Sequence, residues 1–318
     1  MPIEAGARFY KYSRYLRERY GVKTFRVSVD AGFSCPNRHG GRHSPGCVYC
    51  DVEGSRAPYL DCEEEVSRQI RGTVAFLRRR YGAQAFSLSY QAYSGTNAPV
   101  TTLRKAYDYG LSLGEFLELI VATRPDCIDE ARADLLASYK SRVADVWVEL
   151  GLQTPTERTL RTIGRGHTVE QFEDAFALLR ARGVKVGVHL IFGLPGEGAE
   201  EVARAAEYVA ALHPDGVKIH NLRILGGSPL FDRACRGEVP ILGWRRYIEY
   251  LTVFLPRIPE DVVILRLGFD PPRGRPVLPS SFIDKAGLYE AVNTLLERRN
   301  LVQGSLNRRQ LPPHARRS

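Results

Sequence analysis

CPNRHGGRHSPGCVYCD, residues 35–51, gathers three of the chain's six cysteines into one loop broken by glycine and proline. Eleven residues separate Cys35 from Cys47, and two separate Cys47 from Cys50. Three thiols so placed point to a metal. A [4Fe-4S] cluster takes one protein ligand per iron, so three cysteines leave one iron open to a small molecule, whereas a closed structural site recruits a fourth ligand. The competing reading is a Cys3His zinc site in which His39 or His43 of the same loop completes the set.

The residues around the loop place it in a fold. FRVSVD at 25–30 alternates and is rich in β-branched residues, which predicts a strand leading straight into the cysteines. Downstream, helical patterns at 63–80, 101–113, 129–140, 168–182 and 198–212 alternate with strand patterns at 85–90, 117–123, 145–150, 184–192 and 215–221. Six strands alternating with helices imply a parallel sheet flanked by helices, and six units suit a partial, open barrel better than a closed eightfold one. The expected class is therefore α/β, a partial (β/α)6 TIM barrel spanning 25–223. An amphipathic helix over 4–20, within residues 1–24, would precede it. Its aromatic and basic residues suit either a helix covering one barrel end or an RNA contact. Residues 224–300 read as a C-terminal extension packed on the barrel, with helices over 224–265 and at 283–298. Residues 301–318 read as a basic, poorly ordered tail.

Composition narrows the function classes. The 318 residues carry a net charge of +9 and are 44% hydrophobic, enough for a sizeable core and favourable to an anionic partner. Cys62, Cys127 and Cys235 stand singly, which excludes a small-domain disulfide framework and fits a reducing cytoplasm. Nothing resembles an apolar leader or a run of about eighteen apolar residues, so no membrane partner is expected.

In parallel α/β barrels ligands lie beyond the carboxyl ends of the strands. Those ends carry Gln91 and Tyr93 after the second strand, Thr123 and Arg124 after the third, and Gln153 and Arg165 after the fourth. The fifth carries His189 and Gly193, and the sixth Lys218, His220, Asn221 and Arg223. Glu149 on the fourth strand is a costly buried carboxylate unless paired, which makes it a candidate catalytic residue.

These motifs resemble those of the radical S-adenosylmethionine (SAM) enzymes, and in particular the YhcC/YtqA-like family, with kinship to the Elongator catalytic subunit and the oxygen-independent coproporphyrinogen oxidases. The resemblance covers nearly the whole chain. It rests on DAGFSCPNR with GCVYC, SYQAYSGTNAP, VELGLQT with IGRGH, HLIFGLPGE and RRNLVQGS. It implies that Cys35, Cys47 and Cys50 bind a [4Fe-4S] cluster and that Tyr49, Gln91, Tyr93, Gln153, Arg165, His189 and Gly193 contact SAM. Glu197 would be structural, at the start of a helix. The implied reaction is reductive cleavage of SAM to methionine and a 5′-deoxyadenosyl radical that abstracts a substrate hydrogen, with flavodoxin or ferredoxin as reductant. The implied substrate is tRNA, through remodelling of the carboxymethylaminomethyl group on wobble uridine. A small-molecule substrate, or a non-catalytic zinc-stabilised RNA-binding protein, is the alternative. The chain departs from the family in its eleven-residue gap, where three is commonest, and in lacking Gly-Gly-Glu after the second strand. It also reads Arg266-Leu267-Gly268-Phe269-Asp270 where the family usually has R-L-T-G-D.

Overall fold

The computed structural model describes residues 6–42, 44–50, 64–271 and 274–307. In chain order these form α1 (Tyr12–Tyr20), β1 (Thr24–Val29), α2 (Val66–Tyr81), β2 (Ala85–Tyr90), α3 (Val100–Ser112), β3 (Glu118–Thr123) and α4 (Glu130–Ser138). Next come β4 (Asp145–Gln153), α5 (Glu157–Thr162), α6 (Val169–Ala181), β5 (Lys185–Phe192), α7 (Ala199–Leu212) and β6 (Gly216–Asn221). The chain continues with β7 (Ile224–Leu225), α8 (Pro229–Cys235), α9 (Trp244–Phe254), β8 (Val263–Arg266), β9 (Val277–Leu278) and α10 (Lys285–Arg298).

The principal sheet has seven strands in the order β1-β2-β3-β4-β5-β6-β8. Parallel pairing runs in register from Thr24 opposite Ala85 to Val29 opposite Tyr90, and from Glu118 opposite Asp145 to Thr123 opposite Leu150. The strand–helix alternation expected from the sequence is present, with β4 reaching Gln153 and buried along its whole length. A strand buried on both faces is what helices on both sides of a parallel sheet require.

Two features differ from the sequence reading. Residues 224–265 are not helical throughout: β8 pairs parallel with β6 as a seventh strand, Gly216 opposite Val263. Four residues are too few for a periodic signal, and pairing with a neighbour decided them. The second difference is α5, whose six residues are likewise too short to display a helical period.

The chain divides into two compact units. One, the loop unit, comprises Ser13–Leu152 and Arg165–Gly187; the other, the C-terminal unit, comprises Met1–Tyr12, Gln153–Gly164 and Val188–Ser318. In the loop unit the core includes Leu88, Tyr107, Leu119, Val121, Trp147, Val148 and Phe172, all essentially inaccessible. Helix starts are fixed locally: Asp129 accepts from Arg132 N, and Thr168 and Gln171 form a reciprocal cap on α6.

Helix α1 is held against the amino-terminal ends of β3 and β4. Asp145, the first residue of β4, accepts from Tyr15 Oη at 2.9 Å, Tyr20 Oη at 2.5 Å and Arg19 Nε at 3.1 Å, and pairs with Lys185 Nζ at 3.0 Å. Tyr20 Oη also reaches Glu118 Oε1 at 3.2 Å. The tyrosines of α1 therefore serve the barrel end, the first of the two readings, and their hydroxyls are committed inside the protein. In the C-terminal unit, Phe9, Phe192, Tyr247, Phe254 and Leu288 form the core, and Gln303 ties the chain's two ends together by accepting from Tyr10 N at 2.9 Å.

Candidate functional site

The cysteine loop begins where β1 ends, and its excursion is stapled by charge. Asp30 is buried and takes both of its short contacts from Arg42 Nη2, at 2.7 and 2.6 Å. Arg38, 5% exposed, donates to the carbonyls of Arg42 and Ser44 at 2.7 and 2.9 Å. Its other Nη reaches Cys50 Sγ at 3.1 Å. Arg38 and Arg42 also lie over the Tyr93 ring, with centroid distances of 5.1 and 4.4 Å. The eleven residues between the first two cysteines are thus a folded excursion, closed by its own arginines.

Cys47 is buried, while Cys35 and Cys50 are half-buried. Cys50 N donates to Cys47 O at 2.9 Å, so the last pair sits on one tight turn around Tyr49. Asn37 Nδ2 lies 3.3 Å from Cys47 Sγ, and Arg165 Nη1 lies 3.8 Å from the same sulfur. Burial pushes the Cys47 thiol up, but the guanidinium groups of Arg165 and Arg124 and the bonds from Arg165 and Asn37 outweigh it and hold it below the ordinary thiol range. Burial raises the Tyr49 hydroxyl. Hydrogen-bond donors aimed at thiolates are what an iron-sulfur cluster's sulfur ligands take, so the donor set fits the group. Among the described residues no three His, Cys, Asp or Glu side chains converge on a single-ion site; His43, one candidate fourth ligand for zinc, lies outside the described residues, as does Cys62.

Arg165 is 7% exposed and reaches no carboxylate among the described residues. Its Nε donates to His167 Nε2 and its Nη2 to Gly151 O, each at 3.0 Å. His167 accepts at Nε2 and faces Thr168 O with Nδ1, so it is the neutral ring protonated at Nδ1. Burial, and then the Arg165 charge, push His167 down to about 4. The Arg165 guanidinium is consequently locked in plane on one side and presents the rest of its fork toward the thiols. Gly166 makes the approach possible: with φ +76° and a Cβ position 2.5 Å from Asn37 Oδ1, it leaves no room for a side chain.

The same unit places Arg124, 2% exposed, in a two-point pair with Asp126 at 2.8 and 2.7 Å. Thr123 accepts or donates with Ser94 at 2.9 Å and Thr96 at 2.5 Å, which makes it part of a hydroxyl network. Gln91 and Tyr93 follow β2 directly, Tyr93 at φ +56°. Glu149 is 3% exposed and bonded to Arg26 Nη1 at 2.8 Å. The condition under which its burial is unremarkable is met, and the argument that singled it out for catalysis lapses.

Gln153, His189 and Gly193 belong to the C-terminal unit. Gln153 stands at φ +72°, a strained region for a side chain of its size, and its Oε1 is buried with no partner among the described residues. An acceptor left so suits a ligand hydroxyl. His189 packs edge-on against His220, centroids 4.2 Å apart. Gly193 has φ +92°, and a Cβ there would come within 2.5 Å of Leu242 Cδ2. Glu197 accepts from Thr154 Oγ1 at 2.6 Å within its own unit, which gives it the structural role expected from sequence. The residues missed from sequence, Asn37, Arg38 and Arg42, carry one signal that could have found them: they lie inside the excursion between the cysteines.

The chain matches the model of the radical SAM superfamily over residues 32–209 and that of the radical SAM C-terminal domain over 214–298. It is 35% identical over 300 residues to protein YhcC of Escherichia coli K12, covering 94% of this chain and 95% of YhcC. It is 29% identical over 186 residues to the tRNA uridine(34) acetyltransferase of Methanocaldococcus jannaschii, covering 58% of this chain and 33% of that protein. Among solved structures it resembles Elp3 of Methanocaldococcus infernus, lacking residues 1–46, with a TM-score of 0.67 and 21% identity. That match covers 88% of this chain and 64% of the other.

Proposed function

The chain is a radical SAM enzyme, a member of the superfamily that uses a [4Fe-4S] cluster and SAM and, within it, of the family of YhcC, and from that premise we propose that it modifies the wobble uridine of a tRNA. The observation that carries the site assignment is the loop itself: three thiols, two of them met by donors from Asn37, Arg38 and Arg165. Cys35, Cys47 and Cys50 would hold the cluster, leaving one iron for the amino and carboxyl groups of SAM. The bound group supplies the one-electron reductive cleavage of SAM, with flavodoxin or ferredoxin as the expected reductant.

The chain's own residues supply placement. Arg165 offers a planar fork to a carboxylate, oriented by His167 and Gly151. The amide oxygen of Gln153 accepts a hydroxyl. Gln91, Tyr93, Tyr49, His189 and Gly193 are carried as SAM contacts by the resemblance. Three observations support an RNA substrate and, with it, a cytoplasmic setting: the printed activity of the tRNA-modifying relative, the net charge of +9, and committed acids around which many arginines stay cationic. The alteration in view is that of the carboxymethylaminomethyl group.

The test is anaerobic reconstitution followed by counts of iron and sulfide and by assay of 5′-deoxyadenosine with SAM and reductant. About four irons per chain and cleavage lost in Cys47→Ala are expected. Zinc with no cleavage would overturn the cluster reading. Incubation with tRNA from a strain lacking the gene, followed by nucleoside mass spectrometry, tests the substrate; an unchanged wobble nucleoside would overturn the tRNA reading and leave a small-molecule substrate.

A further inference from the structure

The carboxyl end of β6, inside the C-terminal unit, carries buried polar atoms that the protein does not satisfy. Asn221 is 2% exposed; its Oδ1 accepts from Phe269 N at 2.7 Å, but its Nδ2 has no partner among the described residues. Arg223 is 8% exposed, and its Nη2 donates to Pro279 O at 2.9 Å while its Nε is buried without an acceptor. The Arg223 guanidinium lies 4.9 Å from the centroid of Phe282. His220, on the same strand end, stacks on Phe269 at 5.3 Å, and its Nε2 too is buried with no partner.

These groups share a cavity. Asn221, Phe269, Asp270, Phe282 and Lys285 line it, and Arg223 rests on one of its rings. Leaving a buried donor unmade costs on the order of 1–3 kcal/mol. Two such donors two residues apart therefore call for an occupant that supplies acceptors. Burial lowers the Arg223 guanidinium and Asp270 opposes that, without an ion pair between the two. With Arg223 and Lys285 against Asp270 alone, the cavity favours a negative guest.

We propose that this cavity is an oxyanion subsite, in which a carboxylate or phosphate of a ligand accepts from Asn221 Nδ2 and from the Arg223 guanidinium, between the rings of Phe269 and Phe282. That the anion belongs to the substrate rests on the catalytic reading above; that an anion binds here does not. Arginine and a side-chain amide both match a planar or tetrahedral oxyanion, and the rings exclude water from the contact.

The test uses the full chain without SAM. Its melting temperature is followed while inorganic phosphate or acetate replaces chloride at constant ionic strength. A concentration-dependent rise is expected. A rise with phosphate alone assigns the site to a phosphodiester or phosphate group, and a rise with acetate assigns it to a carboxylate. Asn221→Ala and Arg223→Gln should each weaken the anion about tenfold, the loss of one charge-assisted bond. No rise with either anion, or an equal rise in both variants, would overturn the proposal. Should the variants fail to fold, crystals of the unaltered protein grown with selenate locate the anion by anomalous scattering. Selenate at Asn221 and Arg223 supports the subsite, and selenate only elsewhere refutes it. Absent SAM cleavage beside intact anion binding would fault the catalytic reading alone.

Discussion

At Arg165 one side chain has three tasks: it donates to Gly151 O, orients on His167 and faces the Cys47 sulfur. Charge alone would satisfy the sulfur, but a carboxylate fork needs the planar guanidinium. Arg165→Lys should therefore retain iron at close to the unaltered level yet bind SAM about tenfold more weakly, measured by equilibrium dialysis beside an iron assay. A parallel loss of iron and SAM would mean that Arg165 acts on the loop alone. His167 makes a second prediction. Its folded value of about 4 lies below the ordinary imidazole value of about 6.5. Between these the unfolded chain binds the extra proton, so stability falls as the pH drops from about 6.5 toward 4. His167→Gln should flatten that limb in urea denaturation; an unchanged slope would assign the acid sensitivity elsewhere.

At the scale of elements, α1 shows how one buried acid fixes a helix whose own sequence is strongly polar. Asp145 collects Tyr15, Arg19, Tyr20 and Lys185, and although burial raises its pKa, the bonds from Arg19, Tyr20 and Lys185 lower it further. A depressed carboxylate stabilises above its unfolded value and loses that contribution as the pH falls through the folded value. Asp145→Ala should cost about 3 kcal/mol in the urea midpoint and expose α1 to proteolysis. A wild-type cleavage rate in α1 would show that the helix is held by packing alone. The basic and aromatic residues of α1 were compatible with RNA from sequence. What settled the matter was the location of an acid 125 residues away from Tyr20, which no local pattern reports.

For the whole molecule, no helix among the described residues is long and apolar enough to cross a membrane, and the net charge is +9. If phosphates of a tRNA are the partner, affinity should fall about a thousandfold between ~50 and ~200 mM salt, measured by filter binding. A flat response would favour a small-molecule substrate. The basic tail expected at 301–318 lies from 308 onward outside the described residues. Its contribution is separable, since a chain ending at Asn307 should lose only part of that salt slope.

The sequence by itself determined the order of strands and helices, because periodicity and turn residues are local. It also determined the ligand loop, because thiol spacing within one loop reports which side chains can share a metal. Arg165 and Gln153 were legible through motif position. Only the tertiary structure decided that β8 is a strand, since four residues take their conformation from the partner β6. It also decided that Glu149 is neutralised by Arg26, that the excursion is closed by Arg38 and Arg42, and that Asn221 and Arg223 turn unsatisfied donors toward one cavity. Pairing, neutralisation and orphaned donors all depend on which distant residues arrive at the same place, and burial makes each arrival count because water no longer screens or satisfies the groups.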